Sequence, residues 1–151
     1  GFVGVDNFKS IDVVLPPEQM KQMTDFFPLL ENDFKNSAPL YADLLLFHPT
    51  TSKEVKNRVK TDYANCDPVI GYGTIITQMK YASGDAQRLE QLNYQLFLIN
   101  SDGSPTNEIG LKNHCKKGFH VETISATGHF PMIEKPTEFN LILEKVLAAI
   151  K

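Results

Sequence analysis

An α/β architecture is what this sequence predicts: about three parallel strands with flanking helices, and a block of helices inserted after the first strand. Three observations carry that prediction. The runs Gly1–Val5 and Leu96–Ile99 are continuously apolar rather than alternating, as strands buried on both faces are. From residue 85 onward, helix, strand, helix, strand and helix follow one another in the manner of βαβ units. Between the two, from residue 16 to 84, helical spacing dominates and no convincing strand occurs. The expected divisions are residues 1–15, 16–84 and 85–151.

The elements follow in chain order. Gly1-Phe2-Val3-Gly4-Val5 is a strand ending at Asp6. A second short apolar run, Ile11–Leu15, leads to Pro16-Pro17-Glu18, a good helix start because a first-turn proline sacrifices no hydrogen bond. Met20, Met23, Phe27 and Leu30 recur at steps of three and four. Pro28 and Pro39 are expected to break this region into short pieces. Thr51-Ser52-Lys53-Glu54 reads as a capping box, with Thr51 as the cap, ahead of Val55, Val59 and Tyr63. Cys66-Asp67-Pro68 ends that helix, and Val69–Tyr81 forms another despite Gly71 and Gly73. Residues 85–91 make a short polar helix. Leu96–Ile99 is a buried strand closed by the turn cluster Asn100–Pro105. Glu108–Lys117 is a helix stopped at Gly118, Phe119–Ser125 a strand, and the last helix follows Pro136 with Phe139, Ile142, Leu143, Val146, Leu147 and Ile150 on one face.

Composition narrows function. The chain has 151 residues, 42% hydrophobic and 22% charged, as an ordinary globular domain has. A net charge of −3 argues against a nucleic-acid binder relying on bulk electrostatics. No apolar run approaches the roughly 18 residues of a membrane span. Two cysteines, Cys66 and Cys115, make no disulfide framework, so nothing demands an oxidising compartment. The chain opens inside an apolar run without an initiator Met, which reads as a truncated N-terminus.

Chemistry concentrates in two strand-end loops, Asn100–Asn107 and Thr127–Pro131, the places where open parallel sheets carry their sites. Asp102 and His129 stand just past consecutive strands. A carboxylate beside an imidazole orients the ring and stabilises its protonated form, as a general base requires.

Leu96-Phe97-Leu98-Ile99-Asn100-Ser101-Asp102, followed by Gly128-His129-Phe130-Pro131-Met132-Ile133-Glu134-Lys135-Pro136 and an amphipathic helix, resembles the C-terminal end of an α/β-hydrolase of the esterase, lipase and haloperoxidase-like kind. The resemblance implies that His129 is the catalytic base, that residues 1–6 are the sixth core strand, and that residues 16–84 are the cap such enzymes insert after it. It further implies an ester-like small-molecule substrate and no cofactor or metal.

Two departures from the family pattern matter. None of Ser10, Ser37, Ser52, Ser83, Ser101, Ser104 or Ser125 lies in a Gly-x-Ser-x-Gly elbow, and neither cysteine takes its place. The expectation is a C-terminal fragment lacking the nucleophile and the oxyanion hole, inactive by itself. The acid is the second departure. In the usual pattern it directly precedes the proline of the first loop, where Ser104 stands; Asp102 lies two residues earlier. Certain dehalogenases place it instead at the end of the sixth strand, where Asp6 stands. Asp102 is the first candidate and Asp6 the second. The unpaired edge of the first strand calls for a partner, either a second copy or an N-terminal half. A non-catalytic binding protein on the same scaffold is the alternative, favoured only by the misplaced acid.

The remaining chemical residues read as structural. His48, before Pro49, is a loop residue. His114, Cys115 and His120 match no compact zinc spacing. Lys112, Lys116 and Lys117 compensate a helix C-terminus. Gly71-Tyr72-Gly73 lacks the third glycine and the preceding strand of a dinucleotide site. Of Met20, Met23, Phe26, Phe27, Tyr41, Tyr63, Tyr72 and Tyr81, most are core and a few are expected to face an acyl pocket.

Overall fold

In a computed structural model describing residues 1–150, the strands Phe2–Val5 (β1), Leu96–Ser101 (β2) and Phe119–Ile124 (β3) form one parallel sheet in the order β1-β2-β3. Lys151, the end of the expected 85–151 segment, lies outside the described residues. Val5 pairs with Ile99, and Ile99 with Glu122, so the three strands end along one edge. Every residue of β2 is buried. That is why its run of Leu, Phe, Leu and Ile shows no polar alternation: both of its faces are covered.

Alternate side chains of β2 enter two different cores. Leu96 and Leu98 pack with Ile11, Leu89, Leu111 and Cys115. Leu89 and Leu111 come from the helices Asp85–Glu90 and Glu108–His114, Cys115 directly follows the second helix, and Ile11 lies in the turn before residue 14. Phe97 and Ile99 pack on the other face with Ile124, Phe139 and Val146, the last two from the C-terminal helix Pro136–Ala149. Leu96, Leu98, Ile99 and Leu111 are fully buried, and each such side chain contributes roughly 1.5–3 kcal/mol over an exposed one. The helix Glu108–His114 lies so close to the turn that a Cβ on Gly110 would fall 2.2 Å from the Ile11 carbonyl oxygen, which only glycine permits. The expected helix to Lys117 ends early because Cys115 leaves helical geometry and is buried in the core.

The chain divides into two compact units. The first comprises residues 1–13, 47–52 and 84–151; the second comprises 14–46 and 53–83. Residues 47–52 thus belong with the α/β unit rather than with the helical stretch that encloses them in sequence.

In chain order the helices are Pro17–Asn32 (α1), Phe34–Leu45 (α2), Lys53–Asn65 (α3), Pro68–Ala82 (α4), Asp85–Glu90 (α5), Glu108–His114 (α6), Pro131–Glu134 (α7) and Pro136–Ala149 (α8). Pro28 and Pro39 do not break the chain as expected: they lie inside α1 and α2. The break falls at Asp33, whose side chain caps α2 by accepting from the Asn36 N–H. Burial of Leu30, Phe34, Ala38 and Ile75 in the core of the helical unit outweighs the missing proline hydrogen bonds. Asp67 caps α4, accepting from the N–H groups of Val69 and Ile70. The expected capping box at Thr51 is not formed in that way: α3 begins at Lys53, and the Thr51 hydroxyl is engaged with His48 and Glu134.

The helical unit has its own apolar cavity of about 340 Å³, with Met23, Phe26, Phe27, Tyr41 and Met79 in its walls. Tyr63 and Tyr72 pack instead on the Leu30–Phe34 core, and Tyr81 is exposed. Among the described residues no helix is long and apolar enough to cross a membrane.

Candidate active site

The site lies where the three strands end. Asp6 follows β1 directly and donates its N–H to the Ile99 carbonyl at 3.0 Å, continuing the ladder by one bond. Its φ then turns to +46°, a left-handed conformation that aspartate tolerates better than most residues. The turn after it is held by Asn100, which is fully buried. The Asn100 amide accepts from the Asn7 N–H and donates to the Asn7 carbonyl, each at 3.1 Å, and also donates to Thr106 Oγ1 at 2.9 Å.

This backbone path delivers the Asp6 carboxylate across the end of β2. Oδ1 accepts from the Ser101 N–H at 2.8 Å, from Ser101 Oγ at 2.7 Å and from Lys9 Nζ at 2.8 Å. Oδ2 faces His129 Nδ1 at 2.7 Å. The Asp6 side chain is 6% exposed and that of His129 37%, so the carboxylate is enclosed while the ring reaches solvent. Burial alone would raise the Asp6 pKa. The bonds from His129, Lys9 and Ser101 outweigh it and hold the carboxyl well below the usual range. Asp6 is therefore ionised at any working pH.

His129 reaches this point through a braced loop. After β3, Ala126 takes φ +53°, and Gly128 donates its N–H to Glu134 Oε1 at 2.8 Å. Glu134 belongs to α7, the short helix opened by Pro131, which sequence periodicity did not reveal. Its other oxygen accepts from Thr51 Oγ1 at 2.6 Å, and Thr50 Oγ1 donates to the Ala126 carbonyl at 3.0 Å. The segment 47–52 is thereby stitched to the histidine loop. The Phe130 ring packs edge-on to the imidazole, with centroids 5.2 Å apart.

Asp102, the first candidate for the acid, is exposed and turned to the backbone rather than to His129. It accepts from the Thr127 N–H at 3.3 Å. Its pKa is lowered chiefly by the Ala126 N–H, against a smaller opposing effect of burial. The geometry pairs the imidazole with Asp6 and gives Asp102 a turn-bracing position. Adjacency of β2 and β3 in sequence suggested Asp102, but β1 is equally a neighbour of β2 in the sheet, and its end points inward over Ser101.

Lys9, Ser101 and Glu134 were not singled out from the sequence. Ser101 and Glu134 had a signal there only as parts of the Leu96–Asp102 and Gly128–Pro136 runs, and Lys9 had none. The other chemical residues disperse. His48 Nδ1 meets Thr50 Oγ1 at 2.6 Å. His114 bridges Glu90 and Asp12 at 2.8 and 2.9 Å, His120 bonds Glu122 at 2.9 Å, and Cys115 is in the core. Among the described residues no three His, Cys, Asp or Glu side chains are placed to hold a metal ion.

Parallel strands, helices on both sheet faces and a helical insertion between β1 and β2 define the class: an α/β fold of the α/β-hydrolase type. Two solved hydrolase structures share it. One is olei00960, a hydrolase from Oleispira antarctica, with a TM-score of 0.67 and 15% identity over 96% of this chain and 55% of that one. The other is Est816, an N-acyl homoserine lactone degrading enzyme, with a TM-score of 0.62 and 16% identity over 95% of this chain and 57% of that one. This chain spans little more than half the length of either. No protein-family model and no curated protein matches the sequence.

Proposed function

We propose that this chain is the acid–base half of a hydrolase acting on a small ester-like substrate through a nucleophile–histidine–acid triad. His129 is the base and Asp6 the acid, and the nucleophile, a serine, comes from protein outside these 151 residues. The observation that carries the reading is the 2.7 Å contact between an enclosed, ionised carboxylate and Nδ1 of a ring that reaches solvent. With Nδ1 committed to Asp6, Nε2 is left to accept a proton.

The chemistry follows. The serine oxygen attacks the ester carbonyl carbon as its proton passes to Nε2. The carbon–oxygen bond to the leaving group then breaks, and His129 returns the proton to the departing alkoxide. Water, deprotonated in turn by His129, adds to the acyl carbon; the bond to the serine oxygen breaks, that oxygen takes the proton back from His129, and the acid product leaves. Asp6 remains ionised throughout and its Oδ2 faces the ring that takes the proton. The lactone-degrading activity of Est816 supports an ester-type linkage as the target. In the same reading the open edge of β1 is covered by a strand from outside this chain, and the chain alone does not turn over substrate.

The test is hydrolysis of a p-nitrophenyl ester by the protein carrying its upstream residues. His129→Ala should lower turnover by roughly 10³-fold or more. Unchanged turnover would remove the reading.

A further inference from the structure

Lysine is seldom enclosed, yet the Lys9 side chain is only 10% exposed. Its ammonium lies 2.8 Å from Asp6 Oδ1 and 2.9 Å from Ser101 Oγ. Orientation of the carboxylate does not require it, because Ser101 already supplies two neutral donors to the same oxygen. What Lys9 adds is a full positive charge on the far side of Asp6 from the imidazole.

We propose that Lys9 tunes the Asp6–His129 pair through its charge, sharing the carboxylate with the imidazole so that the ring's neutral, proton-accepting form is favoured. This deepens the catalytic reading and rests on it for its functional meaning. The argument is one of charge. With Lys9 present, Asp6, Lys9 and neutral His129 sum to zero, and protonating the ring leaves the trio with a net positive charge around one enclosed carboxylate. Without Lys9, the neutral ring leaves an uncompensated carboxylate, and protonation cancels it. Removing the ammonium therefore favours the imidazolium, which cannot accept the nucleophile's proton.

The other charged or titratable groups on the surrounding elements are committed elsewhere. Asp102, after β2, accepts from the Thr127 N–H. His48, in segment 47–52, bonds Thr50, while Glu134 of α7 bonds Thr51 and Gly128. Lys9 is the cation that shares Asp6 with His129.

The experiment is a pH titration of the His129 ring signals by NMR, in the 151-residue chain and its variants. In Lys9→Met the pH at which the ring changes charge should move upward by about one unit relative to wild type. Lys9→Arg, which keeps the charge, should stay within a few tenths of a unit of wild type. If Lys9→Met does not fold, Lys9→Gln keeps a donor without the charge and makes the same comparison. No shift in the neutral variant, a downward shift, or an equal shift in Lys9→Arg overturns the proposal. The readout needs no turnover, so a failed hydrolase reading and a failed Lys9 proposal are distinguishable. In the complete enzyme, Lys9→Met should move the acid limb of the rate profile upward with little change in KM.

Discussion

His129 Nδ1 and Asp6 Oδ2, 123 residues apart in sequence, meet at 2.7 Å, whereas the aspartate nearer to His129 in sequence is bonded to backbone. The two aspartates should therefore separate cleanly by substitution. Asp6→Asn should abolish the downfield Nδ1–H signal of His129 and lower ester turnover of the complete enzyme by about 10³-fold or more. Asp102→Asn should keep that signal and cost no more than roughly tenfold, through a looser loop. The reverse pattern would return the acid role to Asp102.

The bonds that hold Asp6 ionised against its burial also make stability depend on pH. The folded carboxyl has a lower proton affinity than the unfolded one, so its ionised form contributes stability that is complete above the ordinary value of 3.8 and is lost as pH falls below it. Across each pH unit in which only the unfolded chain takes the proton, about 1.4 kcal/mol disappears. Urea unfolding between pH 5 and pH 2 should show this slope, and Asp6→Asn should flatten it. The variant should also be about 3 kcal/mol less stable at neutral pH, because Lys9 is left enclosed without its counter-charge. An equally steep acid limb in the variant would show that other carboxyls set it.

The pattern of what the sequence disclosed has a physical basis. β2 was legible because a strand buried on both faces must be apolar throughout, and α8 because one buried stripe imposes helical spacing. His129 was legible through the run around it. Which of the two candidate aspartates meets its ring was not, since loop sequence does not say which of two neighbouring strand ends turns inward. That choice depends on the left-handed turn at Asp6 and on Asn100, contacts made across 93 residues. Pro28 and Pro39 misled because local propensity was weighed without the core formed by Leu30, Phe34 and Ala38. Segment 47–52 gave no sign of joining the α/β unit, because the attachments of Thr50 and Thr51 are single hydroxyls with no periodicity.

Those hydroxyls make Glu134 the brace of the histidine loop. One oxygen holds the Gly128 N–H and the other the Thr51 hydroxyl, which is itself buried. Glu134→Ala should leave the Gly128 N–H and the Thr51 O–H without the acceptors they donate to, at a cost of about 1–3 kcal/mol each where water cannot replace the carboxylate. Amide exchange should quicken at Gly128 and His129, while Phe97 and Ile99, in the centre of the sheet, keep their protection relative to global unfolding. Glu134→Gln separates the two bonds. Its carbonyl oxygen can still accept from Gly128, but its NH₂ group cannot accept from Thr51. Exchange at Gly128 should then remain near wild type, and only the attachment of segment 47–52 should loosen. Equal loosening in both variants would mean that the charge of Glu134, rather than its two directed bonds, holds the loop.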